Sequence, residues 1–331
     1  MAFKSELSDV YLCVEWKKYI ESNYEILDFA GRLVAKKEAL DAHRPIPEIA
    51  IRSIKEALTL EWTYHSNSIE GNSLTLRETK VILEEGMTIK GKSLREHFEA
   101  VNHQEAIEYV EQLAHPDYVL TTRDILDVHA LVLQKIEKEF AGRFRTAGVR
   151  IGGANFVPPK ALKGTGFMDE FIDWINEPKV SILESLIHVA IFHHRFVWIH
   201  PFFDGNGRTV RLIFNLLLMK LGFPPAIILQ QDRKKYYAAL NAANNGDYNK
   251  LTLFVFQAIE RSLTIYLSAL NNNQEDYQPI SNVVKEPEIE YGQEYVSLLA
   301  RQGKIEAFKE GKVWYTSKDA VINYQQQQKR T

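Results

Sequence analysis

One cysteine, Cys13, stands in the whole sequence, which excludes an intrachain disulfide and makes a reducing compartment the expectation. A basic surplus is also missing. Lys and Arg number 40 against 43 Asp and Glu, for a net charge of −3, so no global field draws the chain to nucleic acid, although a local basic patch stays open. The pattern Gly-x-x-x-x-Gly-Lys-Ser/Thr does not occur, which argues against a P-loop ATPase. The longest apolar run, around residues 212–229, is broken by Asn215, Lys220 and two prolines, so it makes a poor membrane span. Met1–Glu6 lacks the apolar core of a signal peptide, and a cytoplasmic protein with no membrane partner is expected. Internal repeats and long low-complexity tracts are absent too. What is there is ordinary for a soluble globular chain: 331 residues, 45% hydrophobic and 25% charged, with room for roughly two domains.

The most informative stretch is His200-Pro201-Phe202-Phe203-Asp204-Gly205-Asn206-Gly207-Arg208-Thr209-Val210-Arg211. It is followed by Leu212–Leu221, apolar on nearly every face, which reads as a buried helix closed by Gly222 and Pro224. The polar stretch therefore feeds the N-terminus of a core helix. Free N–H groups at a helix start bind anions, and glycine lets the backbone approach a ligand closely. Arg208 and Arg211 are three apart and share one side of the first turn. The chemistry is that of a phosphate cradle with an imidazole and a carboxylate beside it.

This stretch resembles the Fic signature, His-Pro-Phe-x-(Asp/Glu)-Gly-Asn-Gly-Arg-x-x-Arg, and all its fixed positions are present. The resemblance implies an all-α fold: a Fic helical core with a small β-hairpin flap. It also implies a protein adenylyltransferase that moves AMP from ATP to a Ser, Thr or Tyr hydroxyl of a target protein. In that reading His200 is the general base. Asp204 holds Mg²⁺, while Gly205, Asn206, Gly207, Arg208 and Arg211 bind the phosphates. Phe202 packs into the core and positions the loop. Tyr237 and Asn244, on the helix expected after Gln230, lie near the adenine pocket by the same resemblance; Tyr236 or Tyr237 is equally readable as core. A homodimer is one assembly that the resemblance implies.

The rest of the chain reads as helices joined by turns. A helix is expected from Pro47-Glu48, with Ile49, Ile51, Ile54, Leu58 and Trp62 near helical spacing, running to Ser66–Asn72. Ser66 and Glu70 share a face of its last turn, a solvated helix end by spacing alone. Ser66–Gly71 also resembles the inhibitory motif of many Fic proteins, (Ser/Thr)-x-x-x-Glu-(Gly/Asn). That resemblance implies that Glu70 pairs with Arg211 where the ATP γ-phosphate belongs, with Ser66 and Gly71 completing the motif. Thr75 and Glu78 form a capping box for a helix over 74–86. A helix over 93–113 carries Glu96, Glu99 and Asn102 as a polar face. Another spans 121–139, capped by Thr122, with His129 structural. The stretch 142–161 reads as a small hairpin. It is an ordinary surface turn or, by the resemblance, the flap Ile151, Gly152, Gly153, Ala154, Asn155, Phe156 and Val157 that aligns the target. Helices over 165–176 and 182–198 follow. His193 and His194 could form a metal cluster with His200 and Asp204, but the spacing matches no zinc pattern, and a place on the pocket wall fits better.

A final core helix over 251–270 ends in the polar linker at 271–274. Beyond it, helix 294–301, a hairpin at Glu310-Gly311 and a last helix resemble a winged-helix-like module, whose partner is DNA or a protein. Lys304, Lys309, Lys312 and Lys318 could meet phosphates, but Glu306 and Glu310 interrupt them. The regions expected are 1–95, helical with the inhibitory helix; 96–272, the catalytic core; and 280–331, the C-terminal module. Two alternatives stay open: a DNA-binding regulator whose Fic site senses nucleotide, and a Fic-fold phosphotransferase.

Overall fold

The computed structural model describes residues 24–46, 48–152, 156–271 and 277–330. Ten α-helices are described before the linker: α1 Tyr24–Asp41, α2 Glu48–Ile69, α3 Leu76–Glu85, α4 Leu94–Leu113, α5 Thr122–Leu133, α6 Ala161–Asn176, α7 Ile182–Ile199, α8 Asn206–Lys220, α9 Arg233–Ala243 and α10 Asn249–Asn271. Side-chain caps set several of their starts. Thr75 and Glu78 form the expected capping box on α3, and Ser93 with Glu96 forms one on α4. On α5 the cap is Thr121 rather than Thr122, because Asp124 sits at the third position to close the box. That helix stops at Leu133, short of the expected 139, and turns carry the chain to Gly142. Conversely, α6 begins at Ala161, four residues before the expected start at 165.

Helix α8 is the axis. Its residues 208–218 are all buried, which is why the sequence keeps it apolar on every side except at its start. It packs against α7, α4, α5 and α2, while α1 lies along α10. One apolar core runs from Ile26 to Tyr266, and helices on both sides of residue 95 contribute to it. The helices Ile182–Ile199 and Asn249–Leu270 are long and apolar enough to cross a membrane, and both are mostly buried in this core.

The strands β1 Tyr277–Pro279, β2 Ala307–Glu310 and β3 Val313–Ser317 pair antiparallel in the order β1-β3-β2. With α11 Ile280–Val283, α12 Gln293–Gln302 and α13 Lys318–Arg330 they enclose a second core, from Ile280 to Val321. Glu310 pairs with Val313 across the turn that the Glu310-Gly311 signal marked. Ser317 caps α13 by accepting from the Ala320 N–H at 3.1 Å. In the expected flap, Gly153, Ala154 and Asn155 lie outside the described residues. The described part, Ile151, Gly152, Phe156 and Val157, forms turn and bend without a strand.

Candidate active site

The polar turn between α7 and α8 is held from every side. Phe202 is fully buried, stacked on the His129 ring at 3.6 Å between centroids and flanked by Phe144 at 5.4 Å. Burying one such ring stabilises the fold by about 2–3 kcal/mol, so Phe202 anchors the loop by packing. The Asn206 amide faces inward. Its Oδ1 accepts from Phe202 N at 3.0 Å and its Nδ2 donates to Phe202 O at 2.9 Å. The side chain therefore closes the turn, and only the backbone of Asn206 remains at the helix start to meet a ligand. Gly205 is left-handed (φ 75°), and a Cβ there would lie 3.3 Å from the His129 ring. His129 accepts from Gly142 N at Nδ1 and donates from Nε2 to Asp204 O, 3.0 Å each. It is a neutral buttress, and burial drives its pKa down to about 4.

His200 ends α7 in the left-handed region (φ 50°), a strained conformation for a residue with a side chain. Its Nδ1 lies 3.3 Å from the carbonyl of Val197, which can only accept, so Nδ1 carries the proton and Nε2 the lone pair. Burial lowers its pKa to about 4 against the pull of that carbonyl, and Arg145 lowers it further. The imidazole is neutral at physiological pH and fit to take a proton. Arg145, 4% exposed, fixes this backbone. Its Nε donates to His200 O at 2.7 Å, and its other nitrogens donate to Ala147, Pro159 and Ile199 carbonyls. One guanidinium thus ties both ends of the flap stretch to the residue before Pro201. Nothing in the spacing of Arg145 marked it.

The carboxylate of Glu70 sits on the start of α8. It accepts from Arg211 Nη2 at 2.7 Å, and Arg211 also donates to Ser66 Oγ at 3.0 Å and Ser66 O at 2.8 Å. A Cβ on Gly207 would come within 2.9 Å of Glu70 Cδ, so glycine leaves the room that the carboxylate fills. An acidic group thus lies where a helix start attracts anions. Arg211 is fully buried. Burial opposes its charge, but Glu70 together with Tyr236 and Tyr237 raises its pKa. Arg211 Nη1 and Arg208 Nε are buried without a hydrogen-bond partner among the described residues, and Arg208 Nη1 has the Glu99 carboxylate at 3.2 Å. Donors of this kind suit phosphate oxygens.

Glu99 and Asn102 are not simply a polar face of α4. Glu99 lies 3.2 Å from Arg208 Nη1 and accepts from Asn72 Nδ2 at 2.9 Å, while the buried Asn102 donates to Val132 O. Asp204 meets two cations, Arg95 Nη2 at 2.7 Å and Arg208 Nη2 at 3.4 Å; Arg95 also holds Glu137 at 2.8 Å. Burial would raise the Asp204 pKa, but Arg208, the Gly205 N–H and Arg95 together lower it. A lone ionised carboxylate fits Mg²⁺ that draws its other ligands from phosphate and water. Among the described residues no group of three or more His, Cys, Asp or Glu could hold a metal, so there is no cage built of protein alone. In particular, His193 bonds Tyr236 OH at 2.6 Å, and His194 bonds Asn244 Oδ1 at 2.8 Å and Tyr248 OH at 3.1 Å. The predicted nucleotide residue Asn244 is thus engaged by His194. Tyr237 is half-buried beneath Arg233, whose guanidinium carbon lies 4.9 Å from its ring centroid, and Arg233 Nε donates to Ile69 O at 2.7 Å. A cleft of about 650 Å³ between Leu40, Arg44, Glu111, Phe223 and Tyr266 shares no residue with this chemistry.

A helix start that carries the chain's own carboxylate, beside a neutral imidazole, defines the class: a mainly helical fold with a candidate anion site. The family follows from comparison. Residues 119–218 match the Fic/DOC family. The chain is 38% identical over 270 residues to "Protein adenylyltransferase Fic" of Drosophila willistoni, covering 82% of this chain and 53% of that one. It is 42% identical over 219 residues to the protein of the same name in Nematostella vectensis, covering 66% and 51%. The solved structure "Fic-1 (aa134 - 508) from C. elegans" superposes with a TM-score of 0.66 at 33% identity, covering 75% of this chain and 74% of that one. The chain belongs to the Fic/DOC family. It spans about half the length of the curated relatives it matches.

Proposed function

We propose that this protein transfers AMP from ATP to a hydroxyl side chain of a target protein, and that Glu70 restrains it. The observation that carries the reading is the Glu70 carboxylate on Arg211 above Gly207, an internal anion seated in an anion site. The names of its relatives support the same activity. In the transfer, the target hydroxyl oxygen attacks the α-phosphorus of ATP, and its proton passes to His200 Nε2. The bond from the α-phosphorus to the bridging oxygen breaks, and pyrophosphate leaves. Backbone N–H groups of Asn206 and Gly207 hold the phosphates, joined by that of Gly205 once it releases Asp204 Oδ1. Arg208 and Arg211 meet the outer ones, Arg211 only after Glu70 withdraws. Asp204 would hold Mg²⁺, which would supply positive charge against the phosphates, once Arg95 gives up the Asp204 oxygen it holds. Tyr237 lies along the nucleotide base, and the stretch that holds Ile151 and Val157 meets the target backbone.

The geometry favours this over the two alternatives. A phosphotransferase would present a different phosphorus, and the intact Gly-Asn-Gly-Arg-x-x-Arg sequence suits α-phosphate attack. A DNA-binding module needs cations facing outward, but Lys309 is paired with Asp232 at 2.5 Å and Lys318 with Glu288 at 2.8 Å. Intact-mass analysis after incubation with ATP and Mg²⁺ tests the reaction class. Glu70→Gly protein should gain the mass of AMP on itself or on an added target. A gain of phosphate alone, or no gain at any ATP concentration, would exclude AMP transfer.

A further inference from the structure

The C-terminal module touches the inhibitory helix through a continuous polar bridge. On α2, Glu61, His65 and Ile69 are four residues apart and line one face, and Ile69 directly precedes Glu70. Each is held. Arg261 Nη2 donates to Glu61 Oε2 at 2.9 Å, Gln230 N donates to His65 Nδ1 at 3.1 Å, and Arg233 Nε donates to Ile69 O at 2.7 Å. The same short stretch of chain and the same arginine are gripped from the other side by the β2–β3 hairpin. Arg261 Nε donates to Lys309 O at 3.2 Å, Gln231 Nε2 donates to Gly311 O at 2.8 Å, and Lys309 Nζ pairs with Asp232 at 2.5 Å. Arg261 is 7% exposed and its one guanidinium spans hairpin and plug helix. Lys309 and Asp232 are both largely shielded, so their pair is screened less than a surface one.

We propose that the C-terminal module acts as a clamp on the plug. Its hairpin steadies the 230–233 turn and Arg261, which in turn hold three successive turns of α2 and keep Glu70 on Arg211. The element with two states is the end of α2, seated or withdrawn. The module biases that equilibrium through contacts made only in the seated state, as coupling between two sites requires. Anything that pulls the hairpin from the core would admit ATP. This inference rests on the AMP-transfer reading and on Glu70 as its restraint.

The test uses the full chain with Gln231→Ala and Lys309→Ala, singly and combined, and Arg261→Gln as a second route. The first two remove partly exposed contacts that should leave the fold intact, which thermal melting checks. ATP affinity is read by calorimetry, and amide exchange by mass spectrometry over residues 66–71. The combined variant should bind ATP about threefold to tenfold more tightly, the scale of one or two lost hydrogen bonds, and exchange faster at 66–71. In a Glu70→Gly background the same changes should do nothing more. If Glu70→Gly tightens ATP binding but the hairpin variants do not, the clamp is refuted and the restraint stands. If the variants tighten ATP binding equally with Glu70→Gly present, they act on the site directly and the clamp is again refuted. If Glu70→Gly itself leaves ATP affinity unchanged, the restraint and the clamp fall together.

Discussion

Arg145 and Arg211 are both buried, and their partners differ in kind. Arg211 is neutralised by Glu70, an anion that another anion can replace. Arg145 donates to main-chain carbonyls at His200, Ala147, Pro159 and Ile199, groups that stay with the fold. In the proposed mechanism the difference separates regulation from architecture. The end proposed to meet phosphate is closed by a side-chain ion pair. The His200 end is fixed by main-chain contacts, which suits a histidine kept in a strained conformation.

Three expected outcomes bear on that contrast. His200→Ala should have the largest effect, a loss of AMP transfer of roughly 10²–10⁴-fold with ATP affinity retained. Undiminished transfer in a labelled-ATP assay would remove the base end from the comparison altogether. Arg145→Ala should come next. It frees the His200 backbone, and a displaced base costs up to about 10²-fold, read as a fall in kcat with little change in the KM for ATP. A change confined to KM would place Arg145 on the phosphate side instead. The smallest effect near neutrality concerns acid. Burial lowers the pKa of His65, His193 and His194 to about 3, and of His129, His188 and His200 to about 4. The unfolded chain takes up protons on them below about 6.5, where the folded chain does not. Stability is therefore full above that value and is lost as pH falls toward 4. The melting temperature should drop between pH 7 and 5; a flat profile would mean that these rings are not held neutral.

The anion site was legible because its parts are local. A twelve-residue stretch carries the turn and both arginines, and the apolar run after it declares a buried helix. Capping boxes and the Glu310-Gly311 turn were legible for the same reason: their partners are three residues apart. What could not be read was pairing across the fold. Arg95 and Asp204 are 109 residues apart, and Arg211 and Ser66 are 145 apart. Spacing places Glu99 on a helix face but cannot say that Arg208 packs against that face. Arg145 is hidden more deeply still, since main-chain carbonyls leave no complementary residue type to notice. The Glu70–Arg211 pair is legible only through the resemblance; by spacing alone Glu70 reads equally as a solvated helix end.

In the proposed mechanism Glu70 and the outer phosphates of ATP compete for one cation, and comparing ATP with AMP tests this most directly. Calorimetric titration of wild type and Glu70→Gly with each nucleotide, in Mg²⁺, separates the phosphate end from the rest. ATP should bind Glu70→Gly about tenfold more tightly than wild type, the scale of a charge-assisted contact, while AMP binds both alike. Equal ATP affinity in the two proteins, or an equal gain for AMP, would contradict the claim.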